Sequence, residues 1–153
     1  MIQQVVQINP LKFVKMKKQE NWMSKFFDFT HQNYYEPFIW GKWDCCMFSD
    51  ACIKEMTGEN LIPKELKWTD EKSAMKAIKD YGGTLSASIN KAAKAKKLKP
   101  IKPVFLQCGD LVIWKEESEM CGMYDGQAIL CPSETGIEVK PTSLAIKGWR
   151  ING

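Results

Sequence analysis

The change of apolar period near residue 100 constrains this chain more than any other feature of its sequence. Up to Lys97 the apolar residues recur at helical spacing; beyond Pro100 and Pro103 they come as short runs bounded by glycine and aspartate. Trp22, Phe26, Phe27, Phe29 and Tyr34 form one broad stripe and predict a helix over 19–33, with His31 at its end. Glu36-Pro37 interrupts it, because proline lacks an amide donor and restricts the residue before it. In the next segment, PFIWGKWDCCMFSDACIKEMTGEN, Gly41 supplies a turn, Asp44 is placed to cap a helix with its carboxylate, and Gly58 to end it in a left-handed conformation. Apolar or small residues at 45, 46, 47, 48, 51, 52, 53 and 56 cover more than a surface stripe, so this helix is expected to be largely buried. Thr69, followed by Asp70 and Glu71, marks a third helix that ends at Gly82-Gly83. Leu85, Ile89, Ala92 and Ala93 give a lysine-rich fourth over 85–97.

After the prolines, Gly109-Asp110 opens the run Leu111 to Trp114, and Cys121 to Tyr124 precedes an Asp125-Gly126 turn with Gln127 to Cys131 returning. Ile137 to Lys140 and Trp149 to Ile151 add edges. Helices followed by a small antiparallel sheet make an α+β domain. With 153 residues, 44% of them hydrophobic, one core is the economical arrangement. We divide the chain into an N-terminal extension or arm over 1–18 and a single domain over 19–153. No stretch is long and apolar enough to span a bilayer, so no membrane insertion is expected.

The charge balance is modestly basic, 22 Lys and Arg against 18 acidic residues. Lys91, Lys94, Lys96, Lys97, Lys99 and Lys102 run together without an intervening acid, and Lys12, Lys15, Lys17 and Lys18 form a smaller group. A solvated face is the default for such runs; with no base-reading side chains beside them, any nucleic-acid binding is expected to be weak and non-specific. The six cysteines, Cys45, Cys46, Cys52, Cys108, Cys121 and Cys131, form no paired CxxC framework and match no standard zinc spacing, so reduced thiols, no metal and no cofactor are expected.

The order WG-x-x-DC at a helix start, Thr57-Gly58, Gly109-Asp110 before an apolar strand and Trp149-Arg150 at the end resembles the NlpC-type branch of the papain-like cysteine peptidases. It is closer still to a phage-encoded domain family of uncharacterised function that shares this pattern. The resemblance covers residues 19–151 and implies an NlpC-type fold in which Gly41, Asp44, Gly58, Gly109, Asp110, Gly122 and Trp149 are fold-motif positions. It makes Cys45 the counterpart of the nucleophile. In those enzymes a histidine opens a His-x-Gly-Ile-Tyr-like strand, and here Met120 stands at the matching place in Met120-Cys121-Gly122-Met123-Tyr124. A thioether cannot move a proton, whereas peptide cleavage needs a group that takes and returns one. His31, the chain's one histidine, is the remaining candidate base, and core packing is the default role for Cys45. Trp40, Trp43, Met120 and Tyr124 are candidates to line a remnant groove.

The resemblance therefore implies a phage structural protein of the tail or neck, a virion component made in the host cytoplasm, with an inactive peptidase-like domain as scaffold and other phage structural proteins as partners. The alternative is a cell-wall amidase or endopeptidase acting on murein peptides through Cys45 and an unusual base such as His31.

Overall fold

The computed structural model describes residues 16–153. Four helices come first, α1 (Trp22–Gln32), α2 (Cys45–Thr57), α3 (Glu71–Tyr81) and α4 (Leu85–Ala95). Six strands follow, β1 (Lys99–Ile101), β2 (Leu111–Lys115), β3 (Glu119–Tyr124), β4 (Ile129–Ser133), β5 (Gly136–Lys140) and β6 (Ala145–Arg150). They form one antiparallel sheet in the order β1-β6-β2-β3-β4-β5. The domain is α+β, helices before sheet, as the change of period predicts.

Helix α2 is the central packing element. Phe48, Cys52, Ile53 and Met56 are fully buried, and they meet Leu111, Ile113, Cys121 and Met123 in one apolar core. Each such large side chain contributes on the order of 1.5–3 kcal/mol by leaving water. Strand alternation sends Val112 and Trp114 to the other face, where they join Tyr124, Ile129 and Cys131 in a second cluster. Both faces of β2 are therefore covered, which is why Leu111 to Trp114 is apolar without a break.

Local chemistry sets the ends. Asp44 caps α2 by accepting from the Met47 amide at 2.8 Å, and Gly58 closes it at φ +86°. Helix α3 is capped by Asp70 rather than Thr69. The Asp70 carboxylate accepts from the Ser73 amide and Ser73 Oγ accepts from the Asp70 amide, a reciprocal pair unavailable to Thr69.

Three expectations need correction. Strand β1 was concealed by its proline; Pro100 pairs with Trp149 at the edge of the sheet, where a missing amide is tolerated. The hairpin after β3 is longer than a two-residue turn: Asp125 Oδ1 accepts from both Gln127 and Ala128 amides, and β4 begins at Ile129. The arm boundary at residue 18 is too late. Met16 is 1% exposed within the main core, Lys17 bridges to Asn152, and the Lys18 amide donates to Asn152 O at 2.7 Å. Residues 1–15, the rest of the expected arm, lie outside the described residues.

Gly109-Asp110 and Trp149-Arg150 come together across the sheet. Asp110 is completely buried and accepts from Arg150 Nε at 2.8 Å, Arg150 Nη2 at 3.1 Å and the Gln107 amide at 2.6 Å. The second Arg150 Nη2 contact, to Phe105 O at 2.7 Å, ties the loop before β2 to the last strand. Trp149, also fully buried, donates from its indole to Asn90 of α4. Asp110 is thus half of an ion pair with its carboxylate fully buried, and Gly109 at φ +90° lies against the Trp22 ring. Gly122 is required by β4, because a side-chain carbon there would collide with Leu130 O.

Candidate functional site

The N-terminus of α2 positions Cys45, and the residues before it explain how. Asp44 is 2% exposed, and besides its cap it accepts from the Gly41 amide at 2.8 Å and from Trp68 Nε1 at 2.7 Å. Gly41 holds φ +79°, and any side chain there would strike the Trp68 carbonyl. The WG-x-x-DC motif is therefore a clamp: the glycine admits the Trp68 segment, and the aspartate fastens that segment to the helix start. With three donors on its oxygens, Asp44 is a positioning group and is not free to orient a base.

Cys45, Cys46 and Cys121 bring their sulfur atoms within 4.8 Å of one another. Cys121 Sγ lies 3.8 Å from Cys46 Sγ, and Ser49 Oγ lies 3.7 Å from Cys121 Sγ. The register explains the meeting. Cys121 pairs with Ile113, and both point toward α2, whereas Met120 pairs with Trp114. Hydrogen bonds from the Cys121 and Cys46 thiols pull Cys45 well below the usual thiol range against the opposing effect of its burial. Cys46 is pushed well above that range by its contacts with the Cys121 and Cys45 thiols, and Cys121 chiefly by its contact with Cys45, against a lowering effect of Cys46. The three sulfurs are close enough that the charge of each depends on the others.

The other sites predicted from sequence are dispersed. His31 is exposed in the last turn of α1 and makes no side-chain hydrogen bond to Cys45. Met120 is half-buried against both apolar clusters, so the residue of β3 that meets the nucleophile position is Cys121 instead. Trp43 packs between Phe29 and Phe48, at ring distances of 5.9 and 5.3 Å, with its indole nitrogen buried and unpartnered. Trp40 stacks edge-on with Phe38, and the Tyr124 hydroxyl is 2.9 Å from Thr142 Oγ1. Trp40, Trp43 and Tyr124 line neither of two cavities at the helices and at β2–β3. The first, of about 70 Å³, lies between α2, α3, α4 and the 61–68 segment. Ile53, Leu66, Trp68 and Ile78 are among its apolar walls, and Cys46 and Cys121 expose it to the thiol cluster. Met120 lines a separate hollow with Trp114, Glu116, Glu117 and Ser118.

The lysine run is partly engaged. Lys91 lies over the Tyr81 ring and donates to Tyr81 O, and Lys96 pairs with Glu59 at 3.4 Å. Among the described residues, no helix is long and apolar enough to cross a membrane.

Gly41 and Asp44 fix the helix start that carries Cys45, while Gly109-Asp110 and Trp149-Arg150 join the loop before β2 to the last strand. A domain-family model, described as "Domain of unknown function (DUF6950)", matches residues 17–151 and contains all of them. The chain belongs to this family. Its match begins at Lys17, the residue that bridges to Asn152. No curated protein matches the chain.

Chemically, the cluster offers a thiol whose neighbours favour its ionised form, two further thiols and the Ser49 hydroxyl. It supplies a nucleophile, soft metal ligands or a thiol pair for oxidation. Among these contacts there is no imidazole or carboxylate to carry a proton to a leaving amine. From the sequence alone Cys46, Cys108 and Cys121 are all conceivable thiol neighbours of Cys45, and the structure brings in Cys46 and Cys121. Cys108 stands elsewhere, against Gly126. Ser49 and Trp68 were missed entirely. The alternation of β3, anchored by Ile113 facing the core, is the signal that selects Cys121 over Met120.

Proposed function

We propose that this domain is a non-hydrolytic scaffold, a phage structural protein of the tail or neck that retains an NlpC-type peptidase framework without its chemistry. One observation carries the loss of chemistry: the sulfur of Cys45 faces the thiols of Cys121 and Cys46, where a hydrolase requires a base. The resemblance of WG-x-x-DC and its companion motifs to a phage-encoded family supports the structural role. Other phage structural proteins are the proposed partners.

The test has two arms. Incubation of the protein with defined murein peptides, followed by mass analysis, should return the peptides intact; cleavage lost in Cys45→Ala overturns the non-hydrolytic assignment. Mass spectrometry of purified particles should find the chain as a stoichiometric component. Its absence from particles, with abundant protein in the lysate, overturns the structural assignment.

A second proposal rests on the depressed pKa of Cys45 at the start of α2, which favours an attacking thiolate. An amidase or endopeptidase would then need a base brought by a partner, or by a rearrangement that carries His31 inward. Under it, murein cleavage would appear only with that partner present, and His31→Ala would distinguish the two sources.

A further inference from the structure

We propose that Cys45, Cys46 and Cys121 form a zinc site with three thiolate ligands and one position open to a small exogenous ligand. The three sulfurs come from two elements that the fold already holds together, the first turn of α2 and the middle of β3. Zinc–thiolate bonds of about 2.3 Å in tetrahedral geometry place neighbouring sulfurs ~3.8 Å apart. The Cys46–Cys121 separation is 3.8 Å, and the remaining pairs lie within 4.8 Å. The cluster is therefore close to ligand geometry before any ion enters, and a small rotamer adjustment of Cys45 completes it.

Binding converts three thiols to thiolates, releases three protons and leaves a net charge of −1 on the site. The neighbourhood suits such a charge. The helix field at the start of α2 favours an anion there, although Asp44 already takes the Met47 amide. Ser49 Oγ lies 2.8 Å from Cys45 O and 3.7 Å from Cys121 Sγ, so its one proton can turn from the carbonyl to the thiolate. Among the described residues this is the one group of three or more metal-ligating side chains at such spacing, and no histidine or carboxylate belongs to it. The cavity reaches the cluster at Cys46 and Cys121 and leaves room on that side for water or a small thiol as fourth ligand. The site spacing in sequence hides all this, because the third ligand comes 75 residues after the second.

The experiment uses the full chain, reduced and stripped with a chelator, then titrated with Co(II) as a spectroscopic stand-in for Zn(II). The expected result is intense near-ultraviolet sulfur-to-cobalt charge transfer saturating near one equivalent, with the bands erased by added zinc. Cys121→Ser should weaken binding by roughly tenfold or more, while Cys108→Ser, outside the cluster, should titrate as the parent does. If Cys121→Ser does not fold, peptide mapping of the parent chain decides: zinc should protect Cys45, Cys46 and Cys121 from alkylation and leave half-buried Cys108 reactive. No charge transfer, the same titration in Cys121→Ser, or alkylation indifferent to zinc each overturns the site. Murein cleavage is not read out here, so the outcome is independent of whether the domain is a scaffold.

Discussion

Replacing Arg150 with alanine should be among the most damaging single changes available to this fold, and the structure allows its size to be worked out. Arg150 supplies two of the three hydrogen bonds on the Asp110 carboxylate, which is 0% exposed, and leaves only the Gln107 amide when removed. Breaking a buried pair from one side costs ~3–5 kcal/mol, because the remaining charge is stranded. The Arg150 side chain is itself 29% exposed, so water entering through its vacated path can reach the carboxylate, and the low end applies. About 3 kcal/mol corresponds to a melting shift of roughly 6–12 °C for a domain of this size. Thermal and urea unfolding of Arg150→Ala, Asp110→Asn and the double variant give the test as a cycle. The double variant should recover part of the loss, since it no longer strands a charge. A shift below about 2 °C in Arg150→Ala, or strict additivity in the cycle, would refute the reasoning.

Three further outcomes follow from the same structure. Asp44→Ala strands the Gly41, Met47 and Trp68 donors at once, so unfolding in urea should show a loss of about 2–3 kcal/mol; less than 1 would mean that water replaces the carboxylate freely. Gly41→Ala should destabilise more than Gly83→Ala, because both have positive φ but only Gly41 would also collide with Trp68 O; equal losses would show that conformation alone sets the cost. Stability should fall as pH rises above about 8.5, where unfolded thiols begin to ionise. Burial pushes Cys52 well up and Cys131 up to about 12, so in the fold both keep protons that the unfolded chain releases. Each raised pKa contributes stability below the unfolded value and loses it upward, at no more than ~1.4 kcal/mol per pH unit. Urea midpoints that stay flat from pH 7.5 to 10 would contradict this.

How much of this was legible in the sequence depended on whether the cause was local. The α2 cap, its glycine exit and the run Leu111–Trp114 are written in adjacent residues, and they stand where the patterns put them. Strand β1 was not, because Lys99-Pro100-Ile101 is a strand only by virtue of pairing with β6. The Asp110–Arg150 pair spans 40 positions and announces itself only as two short motifs of unexplained purpose. At the candidate site, Asp44-Cys45 located the right helix terminus, but its neighbour was chosen by counting along β3 from a family pattern. The pairing of Cys121 with Ile113 moved that neighbour by one residue, and a one-residue shift on a strand exchanges the faces. The cavity could not be foreseen, since its walls come from three helices, two strands and a loop.

The central claim is that Cys45 and Cys46 face Cys121. Limited oxidation of the reduced, metal-free chain with diamide, followed by non-reducing peptide mapping, tests it directly. Diamide takes two electrons and two protons from a thiol pair as the disulfide forms, so only neighbouring thiols join quickly. A disulfide between the peptide carrying Cys45-Cys46 and the peptide carrying Cys121 should dominate within one chain. The account is contradicted if Cys121 stays free to alkylate while the α2 cysteines pair with Cys108 or Cys131.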